Sequence, residues 1–504
     1  MKPLRILPLR NNVLDNKNRG LTQKTIIGIP IFLGLMICGV FIYITGMDLK
    51  WMVSLVIASI VLFYAQAMGS LRRALEGLLI FSFSMTLDIN IGYSDKYVDT
   101  YYGIQITMTA IILLALYVLW AGRIYHRYDR PEIFRGVTLS FIIILSWGIL
   151  SILWAPFPNS AVYRLMGMIE VLFLFIYAAN FIKSISDLSF IVKAVSVTIG
   201  FSSIVAILQY TTNSFFGTEF LGGRGVQESL GYLGLSRAAG FLYGANCLAL
   251  FLAIWLPLLI LWAITEQSRS LRFISTASFS LGVIALILTF SRGGWLIFIF
   301  SLLLIGILSI TKKFRWIYRK RRLRFISLGA IIIIVIMPFL RSGIQRITRY
   351  DYGAMQSRLP LAKVAINIIR ENPIKGIGIG QYLYVMRSYD DTPERISITF
   401  PAPVHNIYLM LAAELGLGAL LLFIVILWSI FKRGISILKK AERKVSIFTV
   451  ATLVGLAVFC LDGMWEPGGI GMWMFRPFWF MSGIVLSCHK LTKEDQYIIK
   501  NICE

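Results

Sequence analysis

Charge is what this 504-residue chain has least of: 15% of its residues are Asp, Glu, Lys or Arg, against 57% hydrophobic. A water-soluble domain cannot bury so many apolar side chains, so that class is excluded. Regular apolar–polar alternation is missing too, which excludes a β-barrel. Cysteine is sparse. None of Cys38, Cys247, Cys460, Cys488 and Cys503 falls in a loop expected on the outer side, so no disulfide framework is expected. No CxxC, HExxH or Walker-type loop occurs, and neither a catalytic metal nor another cofactor is expected. Acidic residues number 25 against 49 Lys and Arg. The net charge of +24 comes without any nucleic-acid module. It points to membrane lipids with anionic headgroups, not to nucleic acid.

Apolar runs long enough to cross a membrane are present from end to end. Fourteen are read near 25–45, 51–67, 73–89, 104–121, 137–154, 161–181, 189–210, 241–262, 273–290, 295–311, 325–340, 406–431, 447–461 and 474–488. The run 73–89 is the weakest, with Glu76 inside it, and either spans or re-enters. The fold class is all-α: a polytopic transmembrane helix bundle of about 14 spans, in the range 12–14, with a large, partly helical extracytoplasmic loop. Residues 1–24 and 489–504 are read as cytoplasmic tails, 25–340 and 405–488 as membrane helices, and 341–404 as the outer loop. Lys and Arg collect in every second loop, from the N-terminal tail to 312–324 and 432–444, which places both termini inside. The first 24 residues are polar and basic, and the run after them is long enough to remain as an anchor.

The 341–404 loop breaks the charge pattern, with nine basic residues against five acidic. Long loops are only weakly restrained by charge, so a solvated loop is one reading and an anion site is the other. Arg358 to Arg370 has helical periodicity, with Lys363, Asn367 and Arg370 on one face and Leu361, Val364, Ile368 and Ile369 on the other. Pro360 suits its first turn, and Glu371-Asn372-Pro373 ends it. Gly376-Ile-Gly378-Ile-Gly380 follows without the strand and helix that a dinucleotide fingerprint needs. Arg237 and Arg292 stand at outer span ends. There an arginine either snorkels to headgroups or offers a planar fork to phosphate or pyrophosphate. Gly293-Gly294 would let a bulky headgroup approach the backbone. Arg164 and Glu170, in one span, are read as a structural ion pair. Of the three histidines, His126 and His489 fall on the inner side and only His405 faces outward. It is either a helix-capping residue or a general base, with Asn406 and Glu414 as supporting or structural neighbours.

Ser291-Arg292-Gly293-Gly294-Trp295, then Arg370-Glu-Asn-Pro373-Ile-Lys-Gly376-Ile-Gly378, then His405-Asn406-Ile-Tyr408 with Ala413-Glu414-Leu-Gly416, resemble the O-antigen ligase and polymerase superfamily. Arg237, with Ala239-Gly240-Phe241 and Asn246, resembles its upstream arginine motif. The resemblance is specific over roughly 230–420 and topological elsewhere. It implies a metal-independent, inverting glycosyltransferase in the bacterial cytoplasmic (inner) membrane, with its active site on the outer face. The implied donor is a glycan on undecaprenyl pyrophosphate and the acceptor a glycan or lipid, with a chain-length regulator and a flippase as further partners. Carried over, Arg237 and Arg292 bind pyrophosphate, and His405 activates the acceptor. Arg358, Lys363 and Arg370 are supporting candidates. Ligases of the family often have about twelve spans, so fourteen favour a polymerase. The competing reading is a lipid-linked glycan flippase or transporter, which should instead carry charges along a central mid-span path.

Overall fold

A computed structural model describes residues 70–86, 88–91, 103–125, 131–212, 237–242, 244–311, 356–465 and 475–503, with single positions 324, 329 and 337. The expected spans 25–45 and 51–67 lie outside the described residues, as do nearly all of 325–340 and His126, Arg341, Arg346 and Arg349. The chain divides into two compact units, 1–79 and 80–504.

Helix α1 (Leu71–Ser82) begins in the first unit, where buried Glu76 accepts from Arg72 Nε at 2.8 Å and Arg73 at 3.0 Å. Twelve residues rise about 18 Å, short of a bilayer. The chain then enters strand β1 (Asp88–Ile91), antiparallel to β2 (Ile104–Thr107) with Asp88 opposite Thr107. The run 73–89 is therefore not a spanning helix, and the apolar run from 104 starts as strand before turning helical.

The remaining apolar runs form α2 (Met108–Tyr125), α3 (Arg135–Leu150), α4 (Pro158–Ala178), α5 (Ile185–Thr212), α6 (Ala245–Thr265), α7 (Arg269–Leu288) and α8 (Arg292–Ile310). The polar segment adds α9 (Arg358–Glu371), α10 (Tyr382–Val385) and α11 (Ile396–Thr399). Then come α12 (Ile407–Lys440), α13 (Arg443–Asp462) and α14 (Arg476–Cys503), which continues well past 488. Among the described residues, eight helices are long and apolar enough to cross a membrane: α3 to α8, α12 and α13. This is an all-α, multi-pass membrane protein. Small residues let its helices meet closely. A Cβ on Gly455 of α13 would lie 2.3 Å from the Ile254 carbonyl of α6, and one on Gly483 of α14 would lie 2.7 Å from Phe175 O of α4.

The Arg164–Glu170 pairing is corrected. Glu170 instead takes Arg476 Nε at 2.5 Å and the Thr107 hydroxyl at 3.1 Å. Six residues on one helix place two side chains about 120° apart around it, so they do not face each other.

Helix α12 is not one rod. Gly416 inside it has φ 83° and ψ 170°, far from helical values. The rings of Tyr408 and Phe423 lie 6.3 Å apart, whereas fifteen residues of straight helix would separate them by about 22 Å. The first arm, Ile407 to Leu415, therefore folds back against the second, Leu417 to Lys440. The expected span 406–431 is corrected accordingly, and its crossing part begins after the break.

The glycine-rich loop plugs that break. Ile377 N donates to Ala413 O at 3.0 Å and Gly378 N to Glu414 O at 2.9 Å. Leu417 N donates to Pro373 O at 2.8 Å, and Trp147 Nε1 to Leu415 O at 3.0 Å. Backbone groups released by the break are thus satisfied within the protein, as an apolar surrounding demands. Gly376 has φ +63°, and a Cβ there would sit 2.2 Å from Glu414 O, so only glycine fits. Helix α9 buries Leu361, Val364, Ala365 and Ile368 in a core shared with Ile377, Tyr382, Met386, Val404, Met410 and Ala413. The first arm belongs to this core as much as to the bundle.

Candidate active site

Consecutive long helices alternate in direction, so the start of α8, the end of α13 and the starts of α12 and α14 share one end of the bundle with the segment before α6. Arg237 sits there. Its Nε donates to Thr289 O at 2.8 Å, and a terminal nitrogen donates to Asn246 Oδ1 at 2.7 Å. Its neighbours are pinned as well: Ala238 N donates to Leu288 O at 3.0 Å, and Gly240 N to Gln209 Oε1 at 2.8 Å. The side-chain hydroxyl of that Thr289 accepts from Ser291 N at 3.2 Å. Ser291 caps α8, taking Gly294 N on its hydroxyl at 3.2 Å. Arg292 is the first residue of that helix, and no carboxylate lies in its first turn. Guanidinium and helix dipole both present positive charge at this point, an arrangement suited to an anion.

From α8 the contacts run to the end of α13. The position a Cβ would take on Gly293 is 3.3 Å from Trp465 Nε1. Beside Trp465, Met464 O accepts from Asn406 Nδ2 at 3.0 Å, and Gly463 O from Ile407 N at 2.8 Å. Asn406 also caps the first arm of α12, its Oδ1 accepting from Tyr408 N and Leu409 N at 3.0 and 2.9 Å. Its role is to hold the chain at His405. Arg237 thus adjoins the start of α8 through Thr289, the backbone beside Arg292 lies near Trp465, and Met464 next to Trp465 holds Asn406, the neighbour of His405.

His405 is largely buried. Burial, and then the Arg358 charge, hold its imidazole down at about 4. At neutral pH the ring is uncharged and can accept a proton. Arg358 opens α9, again with no acidic residue in the first turn. Glu414 is buried and serves the loop, its carboxylate reached by Tyr382 N at 3.4 Å. The Tyr382 phenol is pushed up, by burial first and then by Glu414 and Asp390.

Lys363 and Arg370 occupy the exposed face expected for them, opposite Leu361, Val364 and Ile368. Lys363 pairs with Asp391 at 3.3 Å, and Asn367 Nδ2 donates to the same carboxylate at 2.8 Å. That hydrogen bond, foremost, lowers the Asp391 pKa. Arg370 lines a shallow cleft with Asn367, Glu371, Ser388, Tyr389, Asp390 and Asp391. The expectation that both glycines after Arg292 open space for a headgroup is corrected. A Cβ on Gly294 would lie 2.5 Å from Ala249 Cβ, so its space is taken by α6.

Residues 277–424 match the family model described as O-antigen ligase. This stretch of the chain is similar to the O-antigen ligase family. It runs from the middle of α7 to just past the break in α12. It includes Arg292, Arg358, Lys363, Arg370, His405, Asn406 and Glu414. Arg237 and Trp465 lie outside the matched range but inside the same set of contacts. No curated protein matches the chain. The match supports membrane glycan processing of the O-antigen ligase and polymerase type. Trp465 escaped the sequence reading because an aromatic residue at a span end is ordinary interfacial composition.

Proposed function

We propose that the protein is an extracytoplasmic, metal-independent, inverting glycosyltransferase of the bacterial inner membrane. It would act on glycans carried by undecaprenyl pyrophosphate and polymerise them in preference to ligating them to another lipid. The observation that carries this reading is that the segments bearing Arg237, Arg292 and a His405 held uncharged by burial and Arg358 meet at one end of the bundle, with Arg292 and His405 in the stretch similar to the O-antigen ligase family. In the reaction the acceptor oxygen forms a bond to the donor's anomeric carbon as the bond from that carbon to pyrophosphate breaks. The hydroxyl proton passes to His405, and the bonding electrons leave with pyrophosphate. Fixed guanidinium groups at Arg237 and Arg292 would stabilise the charge gathering there without reorganising. Arg358 would extend that positive field to the acceptor side. Both termini would then be cytoplasmic and the 341–404 segment outside.

Purified protein in vesicles, given lipid-linked repeat units in excess EDTA, tests the reading. Glycan chains lengthened by inverted linkages, with release of undecaprenyl pyrophosphate, are expected. Transfer that stops in EDTA and returns with a divalent cation would remove the metal-independent mechanism. Transfer to a different lipid, with no chain growth, would select ligase over polymerase.

A further inference from the structure

The second arm of α12 exposes Leu417, Leu421, Ile424 and Trp428. Their spacing of i, i+4, i+7 and i+11 places them on one face, the face a membrane helix gives to lipid. This stripe does not stop where the arm stops. Leu417 N is hydrogen-bonded to Pro373 O, and the next residue, Ile374, is 78% exposed. In the 3-10 turn Ser151–Trp154 that follows α3, Leu153 is 82% exposed, two residues before Ala155, which lies beside Gly378. Leu153, Leu417 and Ile374 thus form an apolar rim around the plug in α12. Next to Ile374 stands exposed Lys375, with exposed Arg370 one turn back. A purely solvated turn between a helix and a glycine loop has no use for a protruding isoleucine.

We propose that the Pro373–Ile374–Lys375 turn is an interfacial membrane anchor. Ile374 enters the acyl-chain boundary of the leaflet at the site end of the bundle, and Lys375 reaches up to headgroup phosphate. Bilayer lipid is the occupant for two reasons. The rim continues the lipid-facing stripe of α12, and an apolar tip next to an exposed lysine, with Glu371 beside Arg370 on the helix end behind it, fits an interfacial contact. The anchor also fixes the depth of the break. A Cβ on Gly416 would lie 2.0 Å from the Ile374 carbonyl, so turn and break move together. The first arm of α12, which His405 and Asn406 precede, hangs from that point.

The inference does not rest on the catalytic reading, and its test needs no activity. Full-length Ile374→Cys, labelled with an environment-sensitive nitrobenzoxadiazole, is placed in phosphatidylethanolamine–phosphatidylglycerol vesicles. Ser388→Cys is the comparison, and labelled wild type is the blank for the native cysteines. Nitroxide lipids labelled near the headgroup end of the acyl chain, and aqueous iodide, serve as quenchers. The expected ratio of lipid to iodide quenching is several-fold higher at position 374 than at 388, with blue-shifted emission. An equal ratio at both positions would overturn the proposal, since the turn would then be solvated. Shielding of position 374 from both quenchers would also overturn it, since protein would then cover the turn.

Discussion

In the proposed mechanism His405 acts as an uncharged ring, and its environment sets the pH at which that would stop. With its pKa held at about 4, the acid limb of kcat/KM should lie near pH 4, not near the ordinary histidine value of about 6.5. Donor pyrophosphate would offset the Arg358 charge and raise that pKa, so the acid limb of kcat should lie at higher pH than that of kcat/KM. Identical limbs at about 6.5 would mean a solvated imidazole. The same shift acts on stability. Because the folded pKa is depressed, the contribution is whole above about 6.5 and is lost as pH falls through about 4. Folded His405→Ala should keep donor binding and lose transfer by roughly a hundred- to ten-thousand-fold in single-turnover assays. Arg237→Lys and Arg292→Lys should each lower kcat/KM by about 100-fold, close to the alanine variants, because lysine lacks the planar fork. Near wild-type rates in both lysine variants would reduce these side chains to headgroup anchors. The sequence singled out all three as candidates, since arginine at a span end and a histidine expected on the outer face are costly or rare there. The contacts between their segments through Thr289, Trp465 and Met464 were not legible there, because they are made by backbone carbonyls and an indole that carry no pattern.

The element that decides the site is the break in α12. Gly416→Ala forces a side chain into a left-handed backbone and against the Ile374 carbonyl. It should destabilise the protein by more than about 2 kcal/mol. Gly418→Ala, two residues on with nothing within 4 Å of its would-be Cβ, should change stability by less than about 1 kcal/mol and in the favourable direction. Thermal unfolding in nanodiscs separates the two, and equal effects would show that helix propensity, not the plug, governs this region. Hydropathy could not reveal the break, because 406–431 is apolar on both sides of it and averaging removes a single residue. The local signal was Glu414 beside Gly416, a carboxylate and a helix breaker inside one apolar run. Helix α9 was legible in full, from Pro360 in its first turn to Asn372 past its end, because its apolar period and stop signals agree. The hairpin of β1 and β2 was not, since Ile104–Thr107 runs without a breaker into the apolar stretch of α2.

At the scale of the whole molecule, the multi-pass helical class followed from composition, and the Lys and Arg blocks predict an orientation that labelling can test. Ser388→Cys should react with an impermeant thiol reagent in intact cells, and Ser436→Cys, at the other end of α12, should react only after lysis. The reverse pattern would invert the topology. The bundle also contains a measuring rod. The first arm of α12 is held at its far end by Gly463 and Cys460 of α13, through Ile407 N and the Tyr408 hydroxyl, and at its near end by the plug at Gly416. One alanine inserted into this arm would turn one end against the other by about 100° and lengthen it by about 1.5 Å. No shift of the clamps could absorb that rotation, and His405 would leave the arginines while keeping its sequence neighbours. The number of residues between His405 and Gly416 is therefore a fixed gauge, open to substitution but closed to insertion and deletion.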